Sequence, residues 1–154
     1  MHELGRVLEP GGLLIFSTVG PDTLKELRRA FAAADPGQPH VHDLFDMHDL
    51  GDMLVGSGFT APVMEMETLT LTYEDVTALA RDLRAMGATN ALASRRRSLT
   101  GRGLWERLRA ASVMAEGRLP ASFEIVYGHA WKPQPRPAAA QQVVKFYPAW
   151  ERKP

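Results

Sequence analysis

The chain has 154 residues, 45% apolar and 23% charged, with 13 glycines, 11 prolines and no cysteine, ordinary globular usage that fits one core. The missing cysteine excludes disulfides, thiolate-bound zinc and thiol catalysis and leans toward a reducing cytosol. No apolar run approaches the roughly 18 residues of a membrane span, and Met1-His2-Glu3 opens no signal peptide, so a soluble cytoplasmic protein is expected.

The formal charge of zero hides a segregation. Residues 1–75 carry four basic and thirteen acidic side chains, whereas residues 76–154 carry fourteen and five. Between Arg81 and Arg109 eight arginines face only Asp82 and Glu106, a surface suited either to an anionic partner or to plain solvation. Aromatic residues are not interleaved with these arginines and the total charge is zero, so no nucleic-acid partner is expected.

In chain order, Leu4, Val7 and Leu8 fall on one side of a short helical turn that Glu9-Pro-Gly-Gly12 stops. Leu13-Leu-Ile-Phe16 then reads as a strand covered on both faces. Thr23 and Glu26 are spaced as a capping box before a helix that carries Leu24, Leu27 and Phe31 and ends near Asp35-Pro36. Residues 36–46 read as loop, and Met47 to Ser57 as a helix burying Met47, Leu50 and Leu54 and closing at Gly58.

Pro62 to Tyr73 reads as a strand. Its apolar alternation changes phase between Met64, Met66 and Leu69, Leu71, which predicts a bulge near Thr68. Thr72 and Asp75 resemble a second capping box, followed by a helix on Val76, Leu79, Leu83 and Met86 that ends at Gly87. Residues 88–99 lack a period, and Thr100 is placed to cap a helix burying Leu104, Leu108 and Ala111.

Ser122 to Trp131 is the last predicted strand, with Phe123, Ile125, Tyr127, His129 and Trp131 on one face. Tyr127 and His129 are expected to pack on a helix, the alternative being contact with a substrate. Residues 134–154 read as a Pro/Ala linker and an apolar tail, Val143 to Trp150.

His40, His42, Asp43, Asp46, His48 and Asp49 fall within ten residues and are chemically apt for zinc, manganese or iron. Their spacing is loop-like up to Asp46, and acids at a helix start have a dipole role of their own, so no metal site is assigned.

Leu8-Glu-Pro-Gly-Gly-Leu-Leu-Ile-Phe-Ser-Thr18 resembles the entry to the fifth strand of class I S-adenosylmethionine-dependent methyltransferases. A narrower likeness runs through Phe16 to Leu27, Asp46 to Asp52, Leu71 to Val76, Asn90 to Gly101 and Tyr127 to Pro133. Together these segments resemble the malonyl-acyl carrier protein O-methyltransferases of biotin synthesis.

The resemblance covers about residues 3–133 and implies an α/β fold, the C-terminal portion of a Rossmann-like methyltransferase. It further implies a short mixed sheet of about three strands, ordered 13–18, 122–131, 62–72, with residues 74–115 inserted as a helical lid. The implied methyl donor is S-adenosylmethionine and the implied partner an acidic acyl carrier protein.

The glycine-rich turn that grips the donor after a first strand is missing, since Gly11-Gly12 precedes a strand. The chain alone is therefore expected to be inactive, with strand 13–18 open at one edge. An oligomer or swapped dimer would close that edge.

Malonyl carboxylate is already ionised near pH 7, so no strong base is needed and no catalytic residue is assigned. Arg95, Arg96 and Arg97 are candidates for the carboxylate and the carrier protein, or form a solvated loop. Asn90 is a candidate thioester contact or a turn residue, and Thr18 and Thr23 flank the carboxyl end of the first strand. The alternatives are a non-catalytic carrier-docking domain, or a methyltransferase with another small-molecule acceptor.

Overall fold

The computed structural model describes residues 1–98 and 100–135. Its elements are α1 (His2–Val7), β1 (Leu13–Val19), α2 (Lys25–Ala34), α3 (Met47–Gly56), β2 (Thr60–Tyr73), α4 (Val76–Ala85), α5 (Arg102–Ala111) and β3 (Leu119–Trp131). The strands form one sheet in the order β1-β3-β2, as expected. Both ladders are antiparallel. β1 and β2 run in the same direction but each pairs only with β3, so the sheet is antiparallel and not mixed as expected. The tail from 136 onward, with Val143 to Trp150, lies outside the described residues.

Alternation along β3 divides the sheet into two faces. Val126, Gly128 and Ala130 lie on one, where α3 delivers Leu54 and the turn after it delivers Phe59 against Ala130, Leu14, Phe16 and Met64. The opposite face carries Leu119, Ala121 and Phe123 at one end. There α2, α4 and α5 close a second core through Ala30, Leu79, Leu83, Leu104 and Leu108. At its far end this second face is bare. Ile15 is 72% exposed, and Val63, Tyr127 and Trp131 are open to solvent beside it.

The phase change in β2 has its explanation here. Register with β3 is continuous from Val63 to Tyr73, so no bulge falls near Thr68. Met64 belongs to the α3 side, while Leu69 and Leu71 lie on the face that the lid helices approach. Apolar residues sit on both faces because different helices serve each one. The register shift lies between Thr60 and Val63, where Ala61 has φ 48° and Pro62 has no N–H to give the ladder.

Helix starts depart most from expectation. Thr23 and Glu26 form no capping box: α2 begins after Leu24, at φ 55°, with no side-chain cap. The Thr23 hydroxyl instead donates to the Glu124 carbonyl at 3.2 Å and accepts the Glu124 N–H at 3.1 Å. Glu26 accepts the Ser122 N–H at 2.9 Å and its hydroxyl at 2.6 Å. Both side chains therefore staple α2 to β3, satisfying polar groups that burial would otherwise leave unpaired.

Asp75 alone caps α4, accepting from Thr77 N and Ala78 N, while Thr72 is bonded by Arg118. Thr100 does not cap α5, whose N-cap is Gly101 without a side-chain bond. In α1 no residue is buried; Leu4 and Val7 face solvent, and the residues flanking the helix, Met1 and Leu8, reach the α3 core.

Helix ends match expectation. Gly58 (φ 85°) follows α3, with Phe59 N–H on the Leu54 carbonyl; Gly87 (φ 75°) follows α4, with Ala88 N–H on the Leu83 carbonyl. Each is the left-handed closure that glycine makes without steric cost.

Candidate functional site

A cavity of about 510 Å³ opens beside the carboxyl end of β1, between α2, the 36–46 loop and the lid. Val19, Leu27, Phe123, Ile125 and Met86 give it apolar walls, and His40, His42, Thr23, Thr89 and Asn90 a polar side. Phe123, Ile125 and Met86 also line a second hollow of about 450 Å³ that runs toward Leu71 and Tyr73. The result is an apolar cleft across the sheet under the lid, where open α/β sheets hold ligands.

The polar side is built by cross-links between segments. Asn90 donates to the Pro39 carbonyl at 2.8 Å and accepts the Leu92 N–H, so it joins the lid loop to the 36–46 loop. Ala91 N–H donates to His42 Nε2 at 3.1 Å, and Arg28 donates to the His42 carbonyl and to Asp43. Asp35, 6% exposed at the end of α2, receives Arg96 Nη2 at 2.7 Å and pairs with His40 Nε2 at 2.8 Å. The His40 ring stacks on Phe31 with centroids 3.9 Å apart.

The candidate residues are thus dispersed. Asn90 and Thr23 reach the cavity, whereas Thr18 alternates onto the face opposite Val19, away from it. Of the three arginines, Arg96 turns inward onto Asp35. Arg95 donates only to the nearby Leu92 carbonyl, and Arg97 is exposed without a side-chain hydrogen bond among the described residues. His40 belongs to the loop-like histidine cluster, where spacing alone gives it no role of its own. The signal that marks it is the aromatic at Phe31 and the acid at Asp35, whose relation to it depends on the tertiary turn.

The described residues contain no group of three histidine or acidic side chains able to hold a metal ion. Asp46 in that cluster caps α3 instead, and the His48 N–H it accepts holds its carboxyl below the usual range. Tyr127 does not pack on a helix. It stands on the bare part of the sheet and donates to Glu67 Oε1 at 2.6 Å, a bond that raises its phenol pKa.

The glycine-bearing turns on either side of β1 are closed from within. The turn after β1, Gly20-Pro21-Asp22, is filled from within by Glu124, whose Oε2 accepts the Asp22 N–H at 2.7 Å. A Cβ at Gly20 would lie 2.5 Å from Glu124 Cδ. Gly11-Gly12 lies before β1, its Gly11 N–H bonded to the Lys132 carbonyl. Backbone donors of these two turns are therefore committed to the protein itself.

A three-stranded α/β sheet with an apolar cleft at a strand's carboxyl end defines an α/β protein with room for a ligand. No protein-family model matches the chain. Three curated proteins, each named malonyl-[acyl-carrier protein] O-methyltransferase, are similar to it. The one from Laribacter hongkongensis is 52% identical over 96% of this chain and 52% of its own length. Those from Nitrosospira multiformis and Gallionella capsiferriformans are each 56% identical over 87% of the chain, and 44% and 47% of their own lengths.

The chain is thus a relative of the malonyl-[acyl-carrier protein] O-methyltransferases and spans about half their length. Among solved structures, a Bacillus halodurans protein described as a methyltransferase aligns at 16% identity with a TM-score of 0.49 over 86% of this chain and 61% of that one, too slight a likeness to support the fold. No helix among the described residues is long and apolar enough to cross a membrane.

Proposed function

We propose that these residues form the acceptor side of an enzyme of biotin synthesis that moves a methyl group from S-adenosylmethionine to the free carboxylate of malonyl-acyl carrier protein. The observation that carries the reading is the apolar cleft at the carboxyl end of β1, in a chain whose relatives bear that name. An ionised carboxylate is already a nucleophile, so the acceptor side has to align it and keep water out. A cleft walled by Phe123, Ile125 and Leu27 supports the second task.

In this reading the thioester arm passes Asn90 and Thr23 into the cleft, while Arg95 and Arg97, on the exposed lid loop, face an acidic carrier protein. Thr18 has no part in it. The donor is gripped by residues other than those described, and the chain by itself transfers no methyl group.

Equilibrium dialysis tests the division. The chain is expected to retain malonyl-acyl carrier protein and not S-adenosylmethionine; retention of the sulfonium compound by the chain alone would overturn it. The exposed pair Arg95 and Arg97 also favours a second reading, a docking domain without catalysis. Equal retention of carrier protein with and without its malonyl group would select that one, and preference for another carboxylic acid would select a different acceptor.

A further inference from the structure

A cleft that receives a malonyl group must hold a carboxylate, yet no lysine or arginine among the described residues lines it. An anion drawn out of water needs a cation or strong donors in return. Most polar groups on the wall are already committed. The Thr23 hydroxyl is bonded twice to the Glu124 backbone, and the Asn90 amide is engaged at both ends. His42 accepts Ala91 N–H at Nε2, so that ring has no charge to offer while the bond stands. Thr89 offers a neutral hydroxyl.

His40 differs. Its Nε2 faces Asp35 at 2.8 Å, Phe31 holds the ring flat at an interplanar angle of 8°, and its Nδ1 has no partner among the described residues. No polar side-chain atom of the described residues is both buried and unpaired, so this nitrogen is reachable from outside the protein. The residue lines the cleft and also a smaller neighbouring hollow of about 330 Å³ that holds Arg28 and Asp43.

We propose that His40 binds the acceptor's carboxylate through Nδ1–H, an inference that rests on the acceptor-side reading above. Asp35 takes the Nε2 proton, which orients the ring and leaves the second N–H for the substrate. Arg96, Asp35 and His40 then form one hydrogen-bonded series that ends at the substrate carboxylate. Arg96 therefore serves the carboxylate at one remove, as a positioning residue. The other charged groups near the ring are Arg28 and Asp43, which are paired with each other across 3.2 Å.

The test uses the 154-residue chain and two probes, malonyl-pantetheine and its neutral methyl ester. Binding is read by calorimetry, and the histidine ring nitrogens by nitrogen-15 spectra. Wild type is expected to prefer the malonyl probe about tenfold or more, the worth of one charge-assisted bond, with the His40 ring signals moving for that probe alone.

His40→Gln, which keeps a neutral donor, should lose most of that preference while binding the ester as before. If both probes perturb Phe123 and Ile125 equally and the His40 signals stay still, the cleft reading survives and the role of His40 falls. If neither probe perturbs the cleft, the acceptor-side reading itself falls, and this inference with it. The ring spectra need no variant, so a poorly folded His40→Gln would not shelter the proposal.

Discussion

Arg96 donates from Nη2 to Asp35 Oδ1 across 2.7 Å, joining the loop after α4 to the end of α2 over 61 positions of sequence. Asp35 is nearly buried and Arg96 about one-third exposed, so the pair is shielded from water on one side only. Arg96→Ala is expected to cost about 1–2 kcal/mol, less than a fully buried charged bond because solvent screens the guanidinium. Arg95→Ala and Arg97→Ala should each stay within about 0.5 kcal/mol. Urea unfolding of the three variants decides it, and equal losses would refute the latch.

Asp75 makes stability depend on acid. The Ala78 N–H, more than any other group, holds its carboxyl below the usual value, with Thr77 adding to the effect and partial burial opposing it. A carboxyl lowered on folding stabilises the native state above its unfolded pKa of about 4, and that contribution disappears as pH falls through the lower folded value. Asp75→Ala should cost about 1 kcal/mol at pH 7. Against wild type, the gap should narrow steadily below about pH 4; a gap that stays constant down to pH 2 would contradict the cap.

Gly128 is required for reasons of space. On β3 it faces the Phe16 ring so closely that a Cβ would overlap the ring carbons and lie 2.9 Å from Met64 Sδ. Both neighbours are half-buried and packed against the α3 core, so making way would cost them contacts there. Gly128→Ala is expected to destabilise by about 1–3 kcal/mol, the usual cost of overpacking. A crystal structure of that variant with Phe16 unmoved, or an unchanged melting temperature, would show the core to be looser than described.

The bare end of the sheet predicts self-association. β1 lies at the edge with Ile15 and Leu13 exposed on its surface, the kind of apolar strand that recruits another. Sedimentation velocity of the purified chain should show concentration-dependent association, and Ile15→Lys should suppress it with little change in unfolding free energy. A monomer at all concentrations would exclude the oligomer.

Elements whose signal is local could be read from the sequence. β1 is a short apolar run after Pro-Gly-Gly, β3 a clean alternation, and α4 a helical stripe closed by Gly87; each lies within a residue or a few of its expected bounds. What escaped depends on partners far along the chain. Thr23 and Glu26 have the spacing of a cap, yet they bond Glu124 and Ser122 about a hundred positions away, and no local pattern reports that.

The supposed bulge near Thr68 failed for a related reason. A phase change in hydrophobicity looks the same whether the strand kinks or its two faces serve different layers. The site followed suit. Three adjacent arginines advertised charge, while the histidine that reaches the cleft needed Phe31, Asp35 and a folded loop to become distinct.

The excursion from Tyr73 to Leu119 leaves β2 and returns to β3 at directly paired positions, so the ladder below it closes as though nothing intervened. Such an arrangement separates two kinds of change. A different set of lid helices spliced between those two residues would meet the same strand ends, leaving the hydrogen-bond register undisturbed while one wall of the cleft is rewritten. Any replacement need only return the apolar contacts that Leu79, Leu83, Leu104 and Leu108 make in the second core, and within that limit the shape of the cleft is free to change.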